Sequence, residues 1–194
     1  MMSLNFFIVS FYSYLIGSIP FGLIITKLFL KEDIRKIGSG NIGATNVLRT
    51  GKKSLAALTL LFDVLKGYLT LMLTIKYYND LTYFAGLVCF IGHIFPIWLK
   101  FKGGKGVATY LGIILALSLK LTILFGFIWL ILLFLFRYSS LSSIVSSLTI
   151  FLYSLIFLNN SLTIFLFILL VILLYTHKDN IVRLKNKTEN KINF

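Results

Sequence analysis

Residues 54–75 read SLAALTLLFDVLKGYLTLMLTI, a run broken only by Asp63 and Lys66. At about 1.5 Å of rise per residue, a helix needs roughly 20 apolar residues to cross a bilayer, and this run supplies them. Apolar runs continue on both sides, at 4–30, 81–99, 106–119, 121–136, 140–158 and 161–176. Several are of spanning length, whereas 106–119, 121–136 and 161–176 are short. Of the 194 residues, 58% are hydrophobic and 13% charged. One soluble core of this size has no room for so many apolar side chains. Disorder is excluded by the 16% aromatic content. The sequence therefore predicts an all-α integral membrane protein of seven transmembrane helices. The first run has no basic residue before it, is too long for a signal peptide and lacks a small-residue cleavage site after it. It reads as a span bent at Pro20.

The formal net charge is +13, and its distribution sets the orientation. Lys31, Arg35, Lys36, Arg49, Lys52 and Lys53 follow the first run, and Lys100, Lys102 and Lys105 follow the third. Arg137 follows the fifth, and Lys178, Arg183, Lys185, Lys187 and Lys191 fill the tail. Seven spans place these on one side and leave Lys76 and Lys120 on the other. By the positive-inside rule the N-terminus lies outside and the C-terminus in the cytoplasm. Reading 106–136 as one span would instead put the basic tail outside, against the charge distribution. Cys89 stands alone, so there is no disulfide framework and no CxxC pair. With no repeat and no linker, residues 1–194 read as a single transmembrane domain.

Three polar segments fall on the cytoplasmic side. The first runs from Gly38 through Ser39, Gly40, Asn41, Ile42, Gly43, Ala44 and Thr45 to Asn46, with Arg49 beyond it. Its glycines, hydroxyls and amides suit phosphate oxygens, and Arg49 can bind them bidentately; a turn-rich connecting loop is the other reading. It is not a Walker A loop, because Asn46 stands where glycine is required and Lys53 where Ser or Thr is. The second is Lys100-Phe101-Lys102-Gly103-Gly104-Lys105-Gly106-Val107-Ala108-Thr109. Here a glycine-rich turn enters a helix N-terminus, whose unpaired amides attract anions, and Lys105 adds a full charge. The third is His177-Lys178-Asp179-Asn180, then Arg183 and Glu189. If the helix continues, His177 and Asn180 share a face, and His177 is a base or phosphate donor near neutral pH. A solvated basic helix end is the alternative.

Smaller features have structural readings. Asp63 and Lys66, at i and i+3 deep in the second span, are expected to pair, since an unpaired charge there costs at least about 2.5–3.5 kcal/mol. His93, with no second ligand at metal spacing, reads as a hydrogen-bonded bundle histidine. Ser140 and its neighbours either touch phosphate or cap the sixth span. Together the three segments describe a cationic, glycine-rich pocket at the membrane face, suited to an anionic head with an acyl tail. Nucleic acid is excluded as a partner because the basic residues are divided among short loops at a bilayer. The few scattered carboxylates exclude a metal enzyme.

The order of these motifs resembles the PlsY family. Gly17-Ser18-Ile19-Pro20-Phe21-Gly22, Asp33-Ile34-Arg35, the Ser39–Arg49 segment and Asp63-Val64-Leu65-Lys66-Gly67 carry the resemblance, as do Gly92-His93-Ile94-Phe95-Pro96 and the glycine run at 103–106. It ends with His177 to Glu189 and spans nearly the whole chain. The resemblance implies a bacterial acyltransferase of the cytoplasmic (inner) membrane, with its active site facing the cytoplasm and no cofactor. It would move a fatty acyl group from acyl phosphate to the sn-1 hydroxyl of glycerol 3-phosphate, giving lysophosphatidic acid and phosphate, the first step of phospholipid synthesis. A soluble enzyme would supply the acyl phosphate. Carried over by motif, Ser39, Arg49, Lys105, His177 and Asn180 are the expected catalytic residues, with the hydroxyl proton going either to His177 or to a substrate phosphate oxygen. Gly40, Asn41, Asn46, Gly103, Gly104, Gly106, Thr109 and Ser140 would bind substrate, the loop Gly103-Gly104-Lys105-Gly106 being the one that takes glycerol 3-phosphate, and Glu189, Asp63 and Lys66 would be structural. Lys178-Asp179 departs from the family's Arg-Glu pair but keeps both charges.

The chemistry agrees with this assignment. Acyl phosphate carries a good leaving group, so the protein must chiefly hold a hydroxyl against a carbonyl and neutralise two phosphates. Acyltransferases that use acyl-CoA or acyl carrier protein commonly carry His-x4-Asp, but Trp98 and Val182 stand at those positions after His93 and His177. A CDP-alcohol phosphotransferase needs clustered aspartates, and Asp33, Asp63, Asp80 and Asp179 are dispersed. A transporter for a phosphorylated metabolite, built around Asp63 and Lys66, is the alternative class; it is disfavoured because no repeated halves are evident.

Overall fold

The computed structural model describes residues 2–192, and among them all regular structure is helical. Each apolar run forms helix. Five stretches are long and apolar enough to cross a membrane: Ser3–Leu30, Lys53–Tyr77, Asn79–Leu99, Leu119–Phe136 and Ser139–Phe157. Asn160–Thr176 and Lys178–Lys185, bent by 62° at their junction, make a sixth if taken together. Val107–Leu117 has 11 residues. Large apolar side chains are widely exposed, Phe7, Leu28, Phe134 and Ile156 among them, as expected where lipid is the solvent.

By its internal contacts the chain divides into two compact units, Met1–Leu117 and Ser118–Phe194. The first contains α1 (Met2–Ser18), α2 (Phe21–Leu30), α3 (Ala44–Leu48), α4 (Lys53–Tyr77), α5 (Thr82–Ile94) and α6 (Val107–Leu117). The expected bend at Pro20 is a full break. Pro20 has no amide hydrogen, and α1 and α2 are separate helices on either side of Ile19 and Pro20. The main pairings are α4 with α6 and α1 with α5. Gly67 and Gly112 lie where α4 meets α6, and a Cβ on Gly112 would strike the Val64 carbonyl. Gly17 and Gly92 do the same for α1 and α5. In lipid, where burying apolar surface between helices gains little, such close backbone approach holds helices together. Polar ties reinforce it: Tyr12 Oη to Thr74 Oγ1 at 2.6 Å, and Trp98 Nε1 donating to Ser18 Oγ at 2.8 Å.

The second unit contains α7 (Leu119–Phe136), α8 (Ser139–Phe157), α9 (Asn160–Thr176) and α10 (Lys178–Lys185). Helix α8 packs against both α7 and α9. Its buried face is lined by Ser140, Ser143, Ser147 and Ser154, small residues that permit close packing. Ser147 returns its hydroxyl to the Ser143 carbonyl, and Trp129 Nε1 on α7 donates to Ser143 Oγ at 3.0 Å. The start of α8 has no side-chain cap. The capping role expected of these serines is therefore not what Ser140 does, as described below.

Candidate active site

In the first unit, the chain from Lys31 to Arg49 is ordered around one buried amide. Asn46 is 2% exposed. Its Nδ2 donates toward the carbonyls of Ile34 (3.0 Å), Ile37 (2.9 Å) and Asn41 (2.8 Å), and its Oδ1 accepts from the Ser39 amide at 2.9 Å. The Asn46 side chain, expected to meet substrate, is thus engaged with the loop backbone and holds Ser39 in register. Gly38 (φ 56°) and Gly40 (φ 71°) flank Ser39 in the left-handed region. A Cβ on Gly38 would sit 2.5 Å from Asn46 Oδ1 and 3.0 Å from Arg49 Cδ. The Arg49 side chain therefore runs past the Ser39 turn. Asn41 accepts from the Gly43 amide at 2.9 Å, closing the approach to α3. Ser39 is exposed and Arg49 half-buried.

The Asp33 carboxylate accepts from the Arg35 amide at 3.0 Å and from its guanidinium, with Nε at 2.9 Å and Nη2 at 2.6 Å. That hydrogen-bonded guanidinium holds the Asp33 carboxyl far below the usual carboxylate range, and the same pairing raises Arg35.

The second segment is laid on the end of α5. After a short 3₁₀ turn, Ile97–Leu99, the amides of Gly103 and Gly104 donate to the carbonyls of Ile94 (2.9 Å) and His93 (3.1 Å). Gly106 (φ 87°) packs its Cα on the Phe90 ring, where any side chain would collide. Lys105, half-buried, lies between these glycines. Thr109, one turn into α6, is 0% exposed. A cleft of about 380 Å³ is lined by both segments, with Arg35 and Gly40 from the first and Trp98, Lys100, Lys102 and Gly103 from the second. Sequence reading singled out neither Arg35 nor Trp98 as a lining residue, and no local pattern marks them as such.

Beneath this segment lies the ion pair expected from spacing. Lys66 Nζ is 2.7 Å from Asp63 Oδ1, both side chains almost fully buried, and it also meets His93 Nδ1 at 2.8 Å. His93 is hydrogen-bonded within the bundle, as its sequence setting implied.

In the second unit, α9 does not run on past His177: α10 departs at 62°. His177 stands at that corner, 2% exposed. Its Nδ1 lies 2.8 Å from the Leu173 carbonyl, and since a carbonyl only accepts, Nδ1 carries the proton. In the neutral ring Nε2 is then the basic nitrogen. Glu189 gathers three donors, with Oε1 accepting from Ser140 Oγ (2.9 Å) and Asn180 Nδ2 (2.6 Å), and Oε2 from Arg183 Nε (2.7 Å). Burial opposes its charge, but these hydrogen bonds and the Arg183 cation outweigh it and hold its pKa below the ordinary value. Ser140 and Asn180 were expected at substrate; each also anchors Glu189, and that shared role was not visible in sequence.

Two comparisons define the family. The glycerol-3-phosphate acyltransferase family description matches residues 7–187. A glycerol-3-phosphate acyltransferase of Pelagibacter ubique is 52% identical over 97% of this chain and 98% of its own length. The chain belongs to the glycerol-3-phosphate acyltransferase family. A second member, from Brucella anthropi, is 49% identical over 93% of this chain and 90% of its own. The crystal structure of PlsY (YgiH), an integral membrane glycerol 3-phosphate acyltransferase, in its glycerol 3-phosphate form, matches with a TM-score of 0.92 and 34% identity, covering 97% of this chain and 96% of that one. The lysophosphatidic acid form of the same enzyme gives a TM-score of 0.89 at 33% identity. This acyltransferase is thus a multi-pass membrane protein, as its apolar helices imply.

Proposed function

We propose that the protein esterifies the sn-1 hydroxyl of glycerol 3-phosphate with an acyl group taken from acyl phosphate. The observation that carries this reading is the family match across residues 7–187. The hydroxyl oxygen attacks the acyl carbonyl carbon, the bond from that carbon to the phosphate oxygen breaks, and inorganic phosphate leaves with lysophosphatidic acid as the other product. Because phosphate is a good leaving group, no covalent enzyme intermediate is needed; positioning and charge neutralisation supply the rate.

Ser39, Arg49 and Lys105 bind phosphate oxygens, with the Lys105 loop as the glycerol 3-phosphate site; the amides of Asn41 and Gly106 assist, whereas Gly40, Gly103 and Gly104, whose amides donate to the carbonyls of Ile37, Ile94 and His93, shape the turns. Asn46 serves by holding Ser39, and Thr109 by seating the start of α6. His177 and Asn180 orient glycerol 3-phosphate and Ser140 assists, with Glu189 anchoring Asn180 and Ser140. The hydroxyl proton passes to His177 Nε2, a role supported by the proton on Nδ1.

Residues 1–194 make up one transmembrane domain. Its seven spans run from an outer N-terminus to a cytoplasmic C-terminus in the bacterial inner membrane, with Val107–Leu117 as a short span. The distribution of basic residues supports this orientation. The active site then faces the cytoplasm, where a soluble enzyme delivers acyl phosphate.

Reconstituted protein, given glycerol 3-phosphate with acyl phosphate, acyl-CoA or acyl carrier protein, tests the reading. Lysophosphatidic acid from acyl phosphate alone is expected; product from either thioester alone would overturn the donor assignment.

A further inference from the structure

The Lys66 ammonium has two hydrogen-bond partners and one carboxylate beside it. Its Nζ donates to the Ile19 carbonyl at 2.9 Å, meets His93 Nδ1 at 2.8 Å and lies 2.7 Å from Asp63 Oδ1. Each partner belongs to a different place: the break between α1 and α2, the end of α5, and α4 itself. Ile19 precedes Pro20, which has no amide hydrogen to offer, so Lys66 bridges the chain where the helical ladder is interrupted.

An ammonium has no lone pair, so His93 Nδ1 must accept and the neutral ring carries its proton on Nε2. That Nε2 edge faces the glycine-rich segment. A Cβ built on Gly104 would collide with His93 Nε2 and fall 2.8 Å from its Cε1. The same histidine also holds the loop through its backbone, since the Gly104 amide donates to the His93 carbonyl at 3.1 Å. A Cβ on Gly103 would strike that carbonyl. The glycines at 103 and 104 are thus required by what lies beneath them, and His93 is the surface on which the loop rests.

We infer that Asp63, Lys66 and His93 form a positioning relay: Asp63 and the Ile19 carbonyl fix Lys66, Lys66 fixes the orientation of the His93 ring, and the ring sets the course of Gly103-Gly104-Lys105-Gly106 for phosphate. None of the three touches substrate. The inference rests on the reading of this loop as the glycerol 3-phosphate site. A buried pair contributes little net stability relative to apolar residues of the same volume, which gives this one a reason to exist other than holding helices together. A misplacement of about 1 Å at a loop that holds a reactant costs about 100-fold in rate.

The test uses the full-length enzyme in detergent, with His93→Asn, Gly104→Ala, the double variant and Lys105→Ala. Asparagine can accept from Lys66 where Nδ1 did, and it opens space below residue 104. Expected results are a rise of about 10-fold or more in KM for glycerol 3-phosphate in H93N, with KM for acyl phosphate changed less than about threefold. G104A alone is expected to lose about 100-fold in kcat/KM. In the double variant the new methyl occupies the vacated ring space, so activity recovers at least about tenfold over G104A. A purely structural role would lower melting temperature without splitting the two KM values and without that reciprocal rescue. Normal glycerol 3-phosphate KM in H93N, or additive losses in the double variant, overturns the relay. If G104A or H93N fails to fold, Lys66→Arg, which keeps the charge but changes the geometry at Nδ1, must show the same split in KM. Lys105→Ala separates the two readings: unchanged KM for glycerol 3-phosphate there overturns the loop assignment, whereas a raised value beside a normal H93N overturns the relay alone.

Discussion

Replacing Asn46 by Ala removes the amide around which the first polar segment is wound. Its Nδ2 supplies two hydrogens to three carbonyls, and its Oδ1 receives the Ser39 amide. Counting the equivalent of two to three hydrogen bonds at about 0.5–1.5 kcal/mol each, the ordered loop loses about 1–4.5 kcal/mol. Each 1.4 kcal/mol is a factor of ten, so the ordered population falls by roughly 5- to 1,600-fold relative to open states. The helices of the first unit pack through other residues, so the loss stays local. The assay is phosphate release from acyl phosphate in the presence of glycerol 3-phosphate, with melting followed in parallel. We expect kcat/KM to fall at least about 5-fold while the melting temperature moves by only a few degrees. Asn46→Asp is the sharper probe, because it keeps an acceptor for Ser39 but sets carboxylate oxygens against three carbonyls. It should be no better than the alanine variant. A folded N46D enzyme with normal kcat/KM would refute the claim that this amide holds the site.

Glu189→Gln should loosen the tail and cut activity about tenfold or more, since Arg183 loses a charged partner. The folded pKa of Glu189 lies below the ordinary 4.5. Its stabilising contribution is therefore complete above that value and drains away as pH falls through the lower folded pKa. Acid melting curves should show this loss below 4.5 in the wild type and not in E189Q; identical curves would count against it. Asp63→Asn strands the Lys66 charge in the bundle and is expected to cost about 3–5 kcal/mol, measurable by thermal denaturation in detergent, with Lys66→Met in the same chain restoring part of it. A His177→Ala enzyme should lose at least about 100-fold in kcat; near-normal turnover would pass the base role to a substrate phosphate oxygen. Single cysteines placed at Lys52, Lys102 and Lys185 in a Cys89→Ala background should all be labelled from the cytoplasmic face, and labelling of Lys185→Cys from outside would overturn the seven-span orientation.

The helical runs, their apolar character and the Asp63–Lys66 pair were all legible from the chain. Long stretches without charge have one physical solution in lipid, because a helix satisfies its backbone hydrogen bonds within itself. A lone i, i+3 pair of opposite charges in such a stretch has one natural arrangement as well. The three polar segments could be found because glycine, lysine and histidine are conspicuous against that background, and their order along the chain carried the family resemblance.

Partnerships between distant positions were not legible. Sequence spacing links Asn46 to Arg49 but says nothing of Asn46 gathering the carbonyls of Ile34 and Ile37. It lists His93 and Gly104 eleven residues apart without indicating that one lies under the other. Nor did it show that the chain turns by 62° at His177 or that Ser140, 49 residues from Glu189, donates to it rather than capping α8. Hydrophobicity is a property of each residue and sums along the chain, so the sequence by itself determined an all-helical membrane protein with basic, glycine-rich segments. A hydrogen bond depends on where two groups sit to within a fraction of an ångström, which only helix packing sets. The tertiary structure alone decided that Asn46, His93 and Glu189 are the residues around which those segments are built.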